Sequence, residues 1–411
     1  MPAERASNET LPPLTADSQG WVNASLPRRP IFDWREFVIR GMHFTGALGL
    51  ARRVAKSFEI RPGSSLPLLR FRRIRQPKFV ILCYHGIGES GNPLGLAPSR
   101  EVFEEQMHFL RANYRIVSME DVCRELSGSV NAEPGVAITF DDGYRSAYTV
   151  AFPILQKYRL PATVYLTFDS IETGQVAWYD RVFLSMAVAP SGELQLDLEG
   201  PMRFQLNSPE ERLRAALEIV ALLRLLPNVR RRACCALLEK RIGLPQNALS
   251  SRILTWEQIR IMQKGGIAFG SHTRSHPVVS QLAPAELEHE IKDSKRLLEE
   301  KLGRPALDFA FPFGKASDCS PAAIQSLTQS GYRSAVTTVP GVNTPDMNRY
   351  ELRRLQVGYE GSLARLAFDL NRAFMRVEAP RPLNVPLVDL AGSQQNEVLR
   401  SIGDSLGEPD A

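Results

Sequence analysis

The run Val136-Ala137-Ile138-Thr139-Phe140 has no polar face. Apolar and β-branched residues follow one another without alternation, so both sides of the strand need cover. Such a run reads as a fully buried strand, of the kind found in parallel sheets. Asp141-Asp142-Gly143 then stops the run, since Asp-Gly favours a turn. Carboxylates at the C-terminal end of a parallel strand lie where barrel enzymes keep their chemistry. An isolated Asp-Asp-Gly is more often a surface turn, because such tripeptides suit turns everywhere.

A second segment gives the first its meaning. Gly266-Ile267-Ala268-Phe269-Gly270 reads as a short strand that leads into Ser271-His272-Thr273-Arg274-Ser275-His276-Pro277. The Ser, Thr and Pro of that stretch read as a loop, and it carries two imidazoles four positions apart. A lone histidine pair is more often structural. Taken with the carboxylates, three of these groups can hold a divalent metal and leave its fourth position open for water. The remaining carboxylate can take a proton from that water, which is the equipment of a metal-assisted hydrolase.

Thr139-Phe140-Asp141-Asp142-Gly143 and His272-Thr273-Arg274-Ser275-His276-Pro277 resemble the two signature motifs of the polysaccharide deacetylase family, the NodB-homology group of carbohydrate esterases. Further similarities are Tyr84-His85 after an apolar strand, Ala151 to Leu155, Leu160 to Val164, Phe309 to Gly314 and Leu352 to Leu355. The resemblance covers roughly residues 77 to 375. It implies a distorted (β/α)7 TIM-like barrel. It also implies that Asp142, His272 and His276 bind a divalent metal, with Zn2+ the first expectation, and that Asp141 is the general base. The backbone N–H of Phe313 corresponds to the family's oxyanion donor. A main-chain group does not depend on its side chain, so Phe in place of the usual Tyr is tolerated.

The chain departs from the family pattern twice. Ala310 stands where many members have the arginine that orients the catalytic aspartate. Arg354, on the last predicted barrel strand, is the candidate replacement; the alternative is a solvated or helix-flanking arginine. No histidine follows His289, so the C-terminal histidine that often serves as general acid is missing. An amide nitrogen leaves poorly as an anion and still needs a proton. His85, at the end of the strand Phe79 to Tyr84, is the candidate acid, as in deacetylases resembling the poly-N-acetylglucosamine subgroup. The alternative is a structural histidine closing the first strand. His108 and His289 fall on predicted helices, away from the cluster.

The rest of the chain is organised around that barrel. Residues 1–30 are polar and Pro-rich and read as a disordered arm without a secretory signal. Residues 31–76 read as a basic amphipathic helical segment, with Phe37, Met42, Phe44 and Leu48 near helical spacing and arginines clustered behind them. That segment could touch an anionic membrane through residues 34–78, or pack on the barrel with a solvated basic face. No stacking aromatics are interleaved with its arginines, which argues against nucleic acid. The barrel begins near Pro77, and an insertion interrupts it at about residues 178–250. Within it, 194–206 is strand-like, and 208–226 and 229–242 are helical on either side of Pro227. Trp178 and Tyr179 open the insertion and are candidates to stack on a sugar ring, or to anchor the insertion. A strand is expected at 114–117, a helix at 256–264 capped by Thr255, a long charged helix from Pro284 to Leu302, and a flexible tail over 376–411.

Net charge is +5 from 50 basic and 45 acidic residues, too mild to name a partner. The five cysteines are odd in number and lack metal-type spacing, so reduced thiols in a cytoplasmic compartment are expected, with peripheral contact at the inner membrane face as an extension. The combined expectation is a metal-dependent hydrolase that removes N-acetyl groups from an N-acetylated polysaccharide or a lipid-linked saccharide. The alternatives are a carbohydrate O-acetyl esterase and a non-catalytic glycan-binding or assembly protein on the same barrel.

Overall fold

Alternation along the first two strands sets up two layers of side chains. The computed structural model describes residues 78–88, 97–128, 133–244, 252–358 and 362–375. Strand β1 is Phe79–Tyr84, β2 is Gly135–Phe140, and the two run parallel with Cys83 opposite Thr139. Val80, Leu82 and Tyr84 face outward to Phe103 and Met107 of helix α1 (Arg100–Asn113), where the Tyr84 and Phe103 rings meet edge to face at 5.3 Å. Phe79 and Ile81 face inward with Ala137 of β2. The same period of two carries Cys83, Thr139 and Asp141 to the inside.

Five more parallel strands complete the wall: β3 (Thr163–Leu166), β6 (Ala268–Ser271), β7 (Asp308–Ala310), β8 (Ser334–Val336) and β9 (Arg354–Gln356). Their order is β8-β7-β6-β3-β2-β1-β9. Val336 also bridges Leu352 in parallel, just ahead of β9, and the Thr337 N–H donates to the Leu352 carbonyl at 2.7 Å. The two edges of the sheet therefore meet, and the seven parallel strands form the nearly closed (β/α)7 barrel that the resemblance implies. Helices α2 (Met119–Leu126), α3 (Phe152–Tyr158) and α4 (Phe168–Thr173) fill the connections of the first half. Helix α8 (Trp256–Lys264) begins at the expected capping box, in which the Thr255 hydroxyl accepts from the Gln258 N–H and the Gln258 side chain accepts from Thr255.

The insertion contains α5 (Trp178–Val188), the antiparallel hairpin of β4 (Glu193–Asp197) and β5 (Pro201–Gln205), then α6 (Pro209–Leu223) and α7 (Asn228–Ile242). The hairpin and the two later helices match expectation. Helix α5 was not anticipated, because Val182, Phe183, Leu184 and Met186 are all buried and leave no amphipathic stripe to read. The strand expected at 114–117 is corrected to a single bridge from Ile116 to Val136. β1 fills one edge of β2, and β3 pairs only with Thr139 and Phe140 on the other, so Val136 has an open edge for one bridge and no more. The charged helix from Pro284 to Leu302 is also corrected. It is α9 (Pro284–Glu288) and α10 (Ser294–Leu302), joined by a π-helical turn over His289–Asp293. Helix α11 (Pro321–Gln329) follows β7, and α12 (Leu363–Met375) closes the described chain. The predicted arm 1–30, the amphipathic segment 31–76 and the tail 376–411 lie outside the described residues. Among those described, no helix is long and apolar enough to cross a membrane.

Candidate metal centre

Asp141 and Asp142 are neighbours in sequence but serve opposite sides of the site. Asp141 continues the inward face of β2, while Asp142 adopts φ +71°, which swings its carboxylate away from the strand direction. Gly143 follows with φ +74°, and a Cβ there would lie 2.9 Å from Ile171 Cδ1, so only glycine completes this turn. Thr273, His276 and Phe313 also have positive φ. Left-handed backbone costs a non-glycine residue about 1–3 kcal/mol and persists where surrounding bonds fix it.

His272 and His276 both turn toward Asp142. Each Nε2 lies 3.4 Å from Asp142 Oδ1. Neither Asp142 oxygen accepts a hydrogen bond among the described residues, although Asp142 is buried. A tetrahedral zinc ion with nitrogen and oxygen ligands at about 2.0–2.2 Å would space those ligand atoms about 3.3–3.5 Å apart. The ligand spacing and the unbonded carboxylate therefore fit a divalent cation held by Asp142, His272 and His276. His272 Nδ1 lies 2.7 Å from the Ala310 carbonyl oxygen and donates its proton there, which leaves Nε2 as the ligand nitrogen. Burial, and then neighbouring His272, pushes His276 down to about 3, so its imidazole is neutral. For His272, burial acts downward, but the carboxylates of Asp141 and Asp142 outweigh it and raise the group.

Asp141 is held from behind. Arg354, 0% exposed, donates from Nη1 to Oδ1 at 2.7 Å and from Nη2 to Oδ2 at 2.6 Å. Its Nε donates to the Thr337 carbonyl at 2.8 Å. Burial pushes the Asp141 carboxyl up, but Arg354 and then His272 outweigh it and hold it below the usual carboxylate range. Burial likewise acts upward on Asp142, but the histidines around it outweigh burial and lower the group. With Ala310 on β7 offering no side-chain donor, the guanidinium that pairs with Asp141 comes from Arg354 on β9. His85 is not buried, and a ring nitrogen lies within 4.8 Å of an Asp141 oxygen and of Cys83 Sγ. Phe313 sits on the same rim, its ring centroid 5.0 Å from that of His276, and its N–H donates no hydrogen bond among the described residues.

The two aromatic candidates separate. Trp178 is 9% exposed, its indole N–H donates to the His276 carbonyl at 3.0 Å, and the Arg231 guanidinium covers its ring at 4.9 Å. That leaves little ring face for a sugar and makes Trp178 a brace for His276. Tyr179 is half-buried, with its ring 4.6 Å from that of His276. The insertion reaches the site a second time through Arg224, whose guanidinium lies 4.6 Å from the Phe313 ring and donates to Asp318 at 2.6 and 2.8 Å.

Glu290 escaped the sequence reading. It lies in the π-helical turn and is buried. One oxygen accepts from the N–H groups of Arg274 and Ser275 at 2.8 and 2.9 Å, and the other from the Ser275 hydroxyl at 2.5 Å. Those residues form the arc between the two histidines. In sequence Glu290 looks like one more charge on a solvated helix; only the π turn, a frequent mark of function, turns it inward. Replacing Glu290 with Gln keeps one acceptor oxygen but removes the charge. Divalent-ion affinity is expected to weaken about 10–100-fold, read by calorimetric titration. An unchanged affinity would reduce Glu290 to packing.

The profile of the polysaccharide deacetylase family matches residues 129–335. YxkH of Bacillus subtilis (strain 168), a protein provisionally named a polysaccharide deacetylase, is 26% identical over 289 residues, covering 69% of this chain and 74% of that one. The poly-β-1,6-N-acetyl-D-glucosamine N-deacetylase of Escherichia coli (strain K12) is 38% identical over 88 residues, which is 20% of this chain and 13% of that one. The structure of the Streptococcus pyogenes deacetylase PplD in complex with acetate superposes with a TM-score of 0.50 at 22% identity, over 73% of this chain and 100% of that one. At that identity the likeness establishes the fold alone.

Proposed function

Because this chain belongs to the polysaccharide deacetylase family, we propose that it is a metal-dependent hydrolase that removes N-acetyl groups from an N-acetylated glycan, releasing acetate and a free amine. One observation carries this reading. A buried carboxylate held ionised by Arg354 stands directly beside a second carboxylate and two imidazoles spaced for a cation.

When bound by Asp142, His272 and His276, a divalent ion would supply Lewis acidity and a more acidic water. Asp141 takes the proton of the attacking water, and the bidentate guanidinium keeps it ionised for that task. The N–H of Phe313 donates to the oxygen that becomes negative as the acetyl carbon turns tetrahedral. His85 gives a proton to the departing nitrogen, and its reach to solvent lets it be recharged. Trp178 fixes His276, and Tyr179 offers the remaining aromatic surface near the acetyl group.

The E. coli relative removes N-acetyl groups from poly-β-1,6-N-acetyl-D-glucosamine by its name, which makes a β-linked N-acetylhexosamine polymer the first substrate to test. A lipid-linked saccharide at the inner face of a membrane is a narrower proposal, motivated by the basic amphipathic sequence of residues 34–78. Metal-loaded protein is expected to release acetate and expose amines on β-1,6- or β-1,4-linked N-acetylglucosamine oligomers, to stop on chelation and to recover with added Zn2+. Folded, metal-loaded protein with no release from these oligomers or from an O-acetylated xylan would overturn the reading.

His85 separates amide from ester chemistry. Replacing it with Ala is expected to cut N-deacetylation about 100-fold or more while metal content stays unchanged. Loss on an O-acetyl ester should be smaller, because an alkoxide leaves with less help than an amide nitrogen. A variant within a few-fold of the parent on the amide removes His85 from the mechanism.

A further inference from the structure

We infer that Cys83, His85 and Asp141 form a second cation position, which takes a thiophilic divalent ion such as Zn2+ or Cd2+ and switches the enzyme off. The inhibitory half rests on Asp141 acting as the base; the binding half stands without it.

The register of the first two strands builds the site. Cys83 pairs with Thr139 and Tyr84 with Phe140, and the Asp141 N–H donates to the Tyr84 carbonyl at 2.9 Å. Cys83 and Thr139 share the inward face of the two strands, and His85 and Asp141 follow just past the strand ends on the same side. Sulfur, imidazole nitrogen and carboxylate oxygen lie within 4.8 Å of one another. Cys83 Sγ is 3.5 Å from Asp141 Oδ2. Zinc–sulfur and zinc–oxygen bonds of about 2.3 and 2.0–2.2 Å at a tetrahedral angle place the two ligand atoms about 3.5 Å apart. Cys83 forms no disulfide, and His85 opens the group to solvent.

The neighbouring charges select the ion. Arg354 takes one lone pair on each Asp141 oxygen and repels any cation nearby. A hard ion such as Mg2+, dependent on the carboxylate alone, gains too little there. A soft ion gains a thiolate bond, because the thiol proton leaves for solvent as the metal–sulfur bond forms. The thiolate then supplies one full negative charge, and the Asp141 carboxylate shares its own between Arg354 and the ion. With its oxygen and the His85 nitrogen both committed, the site can neither take a proton from water nor return one to the leaving group.

The full chain titrated with Cd2+, counted by equilibrium dialysis and followed by thiolate-to-metal absorption in the ultraviolet, tests this. The parent is expected to bind two ions, the second bringing the absorption. Cys83→Ser should bind one, with no absorption. His85→Ala, a change at a solvent-reaching side chain, should hold the second ion at least about tenfold more weakly. A Cys83→Ser protein that keeps both ions and the absorption overturns the site, as does a parent that binds one ion without it. In the activity arm, excess Zn2+ should suppress acetate release about 100-fold in the parent, the share a general base carries. The Cys83→Ser protein should keep its own one-equivalent rate. Cadmium on Cys83 in a protein that releases no acetate at one equivalent leaves the site standing and removes the deacetylase reading. Acetate release with no thiolate-bound ion does the reverse.

Discussion

Replacing Arg354 with methionine is expected to destabilise the protein by about 3–5 kcal/mol, the usual cost of stranding one charge of a buried pair. The guanidinium is 0% exposed and gives Asp141 two of its bonds and the Thr337 carbonyl a third. Without it, Asp141 loses the largest influence that holds its carboxyl down, while burial and the Cys83 thiol remain, so its pKa rises. The sign follows from linkage. With Arg354 present, the folded carboxyl titrates below the unfolded one; its stabilisation is complete above the unfolded value and is lost as pH falls through the folded value. With methionine the folded value moves up, so this stabilisation shrinks and its loss begins at higher pH. On the proposed role of Asp141 as base, turnover needs the ionised form, so the acid limb of the rate profile moves to higher pH. Urea denaturation and a pH–rate profile read the two effects. Adding Asp141→Asn to the methionine variant should recover much of the lost stability, because no unpaired charge remains. A single variant that loses less than about 1 kcal/mol with an unmoved acid limb would show that the pair does not govern the base.

The adjacent carboxylates should part company under substitution. Asp141→Asn is expected to lower turnover about 10²–10⁴-fold while the protein still binds its metal with parental stoichiometry. Asp142→Asn should lose the metal as well as the activity, because a neutral amide oxygen is a poor substitute where the carboxylate oxygens accept nothing else. Metal content after dialysis, set beside the rate, decides between them. Retention of the ion by the Asp142 variant and its loss by the Asp141 variant would exchange their roles. The backbone predicts the split: Asp141 follows the inward period of β2, and Asp142 escapes it through its left-handed φ.

Some of this was readable because the cause is local. An uninterrupted β-branched run forces a doubly covered strand, and two histidines in a Ser- and Pro-bearing loop mark a strand end. Arg354 was open between two readings in the sequence, an orienting partner suggested by the family pattern and a solvated arginine, and only closure of the sheet brings its guanidinium onto Asp141. Glu290 could not be named at all. Its three bonds go to a loop that lies about 15 residues away in sequence, and nothing in a charged helix announces a π turn. Trp178 was ambiguous for a similar reason: an indole that stacks on a ligand and one that braces a histidine carbonyl have the same sequence signature.

By itself the chain's sequence determined the strands, the ligand types and their order, since hydrophobic period and donor chemistry are properties of single segments. The tertiary structure alone decided which side chains converge: Cys83 and His85 beside Asp141, Arg354 behind it, Glu290 beneath the histidine loop. Convergence depends on strand register and on the closure of the sheet between Val336 and Leu352. Both are set by contacts between residues far apart in the chain, and neither is encoded in the pattern of any one segment.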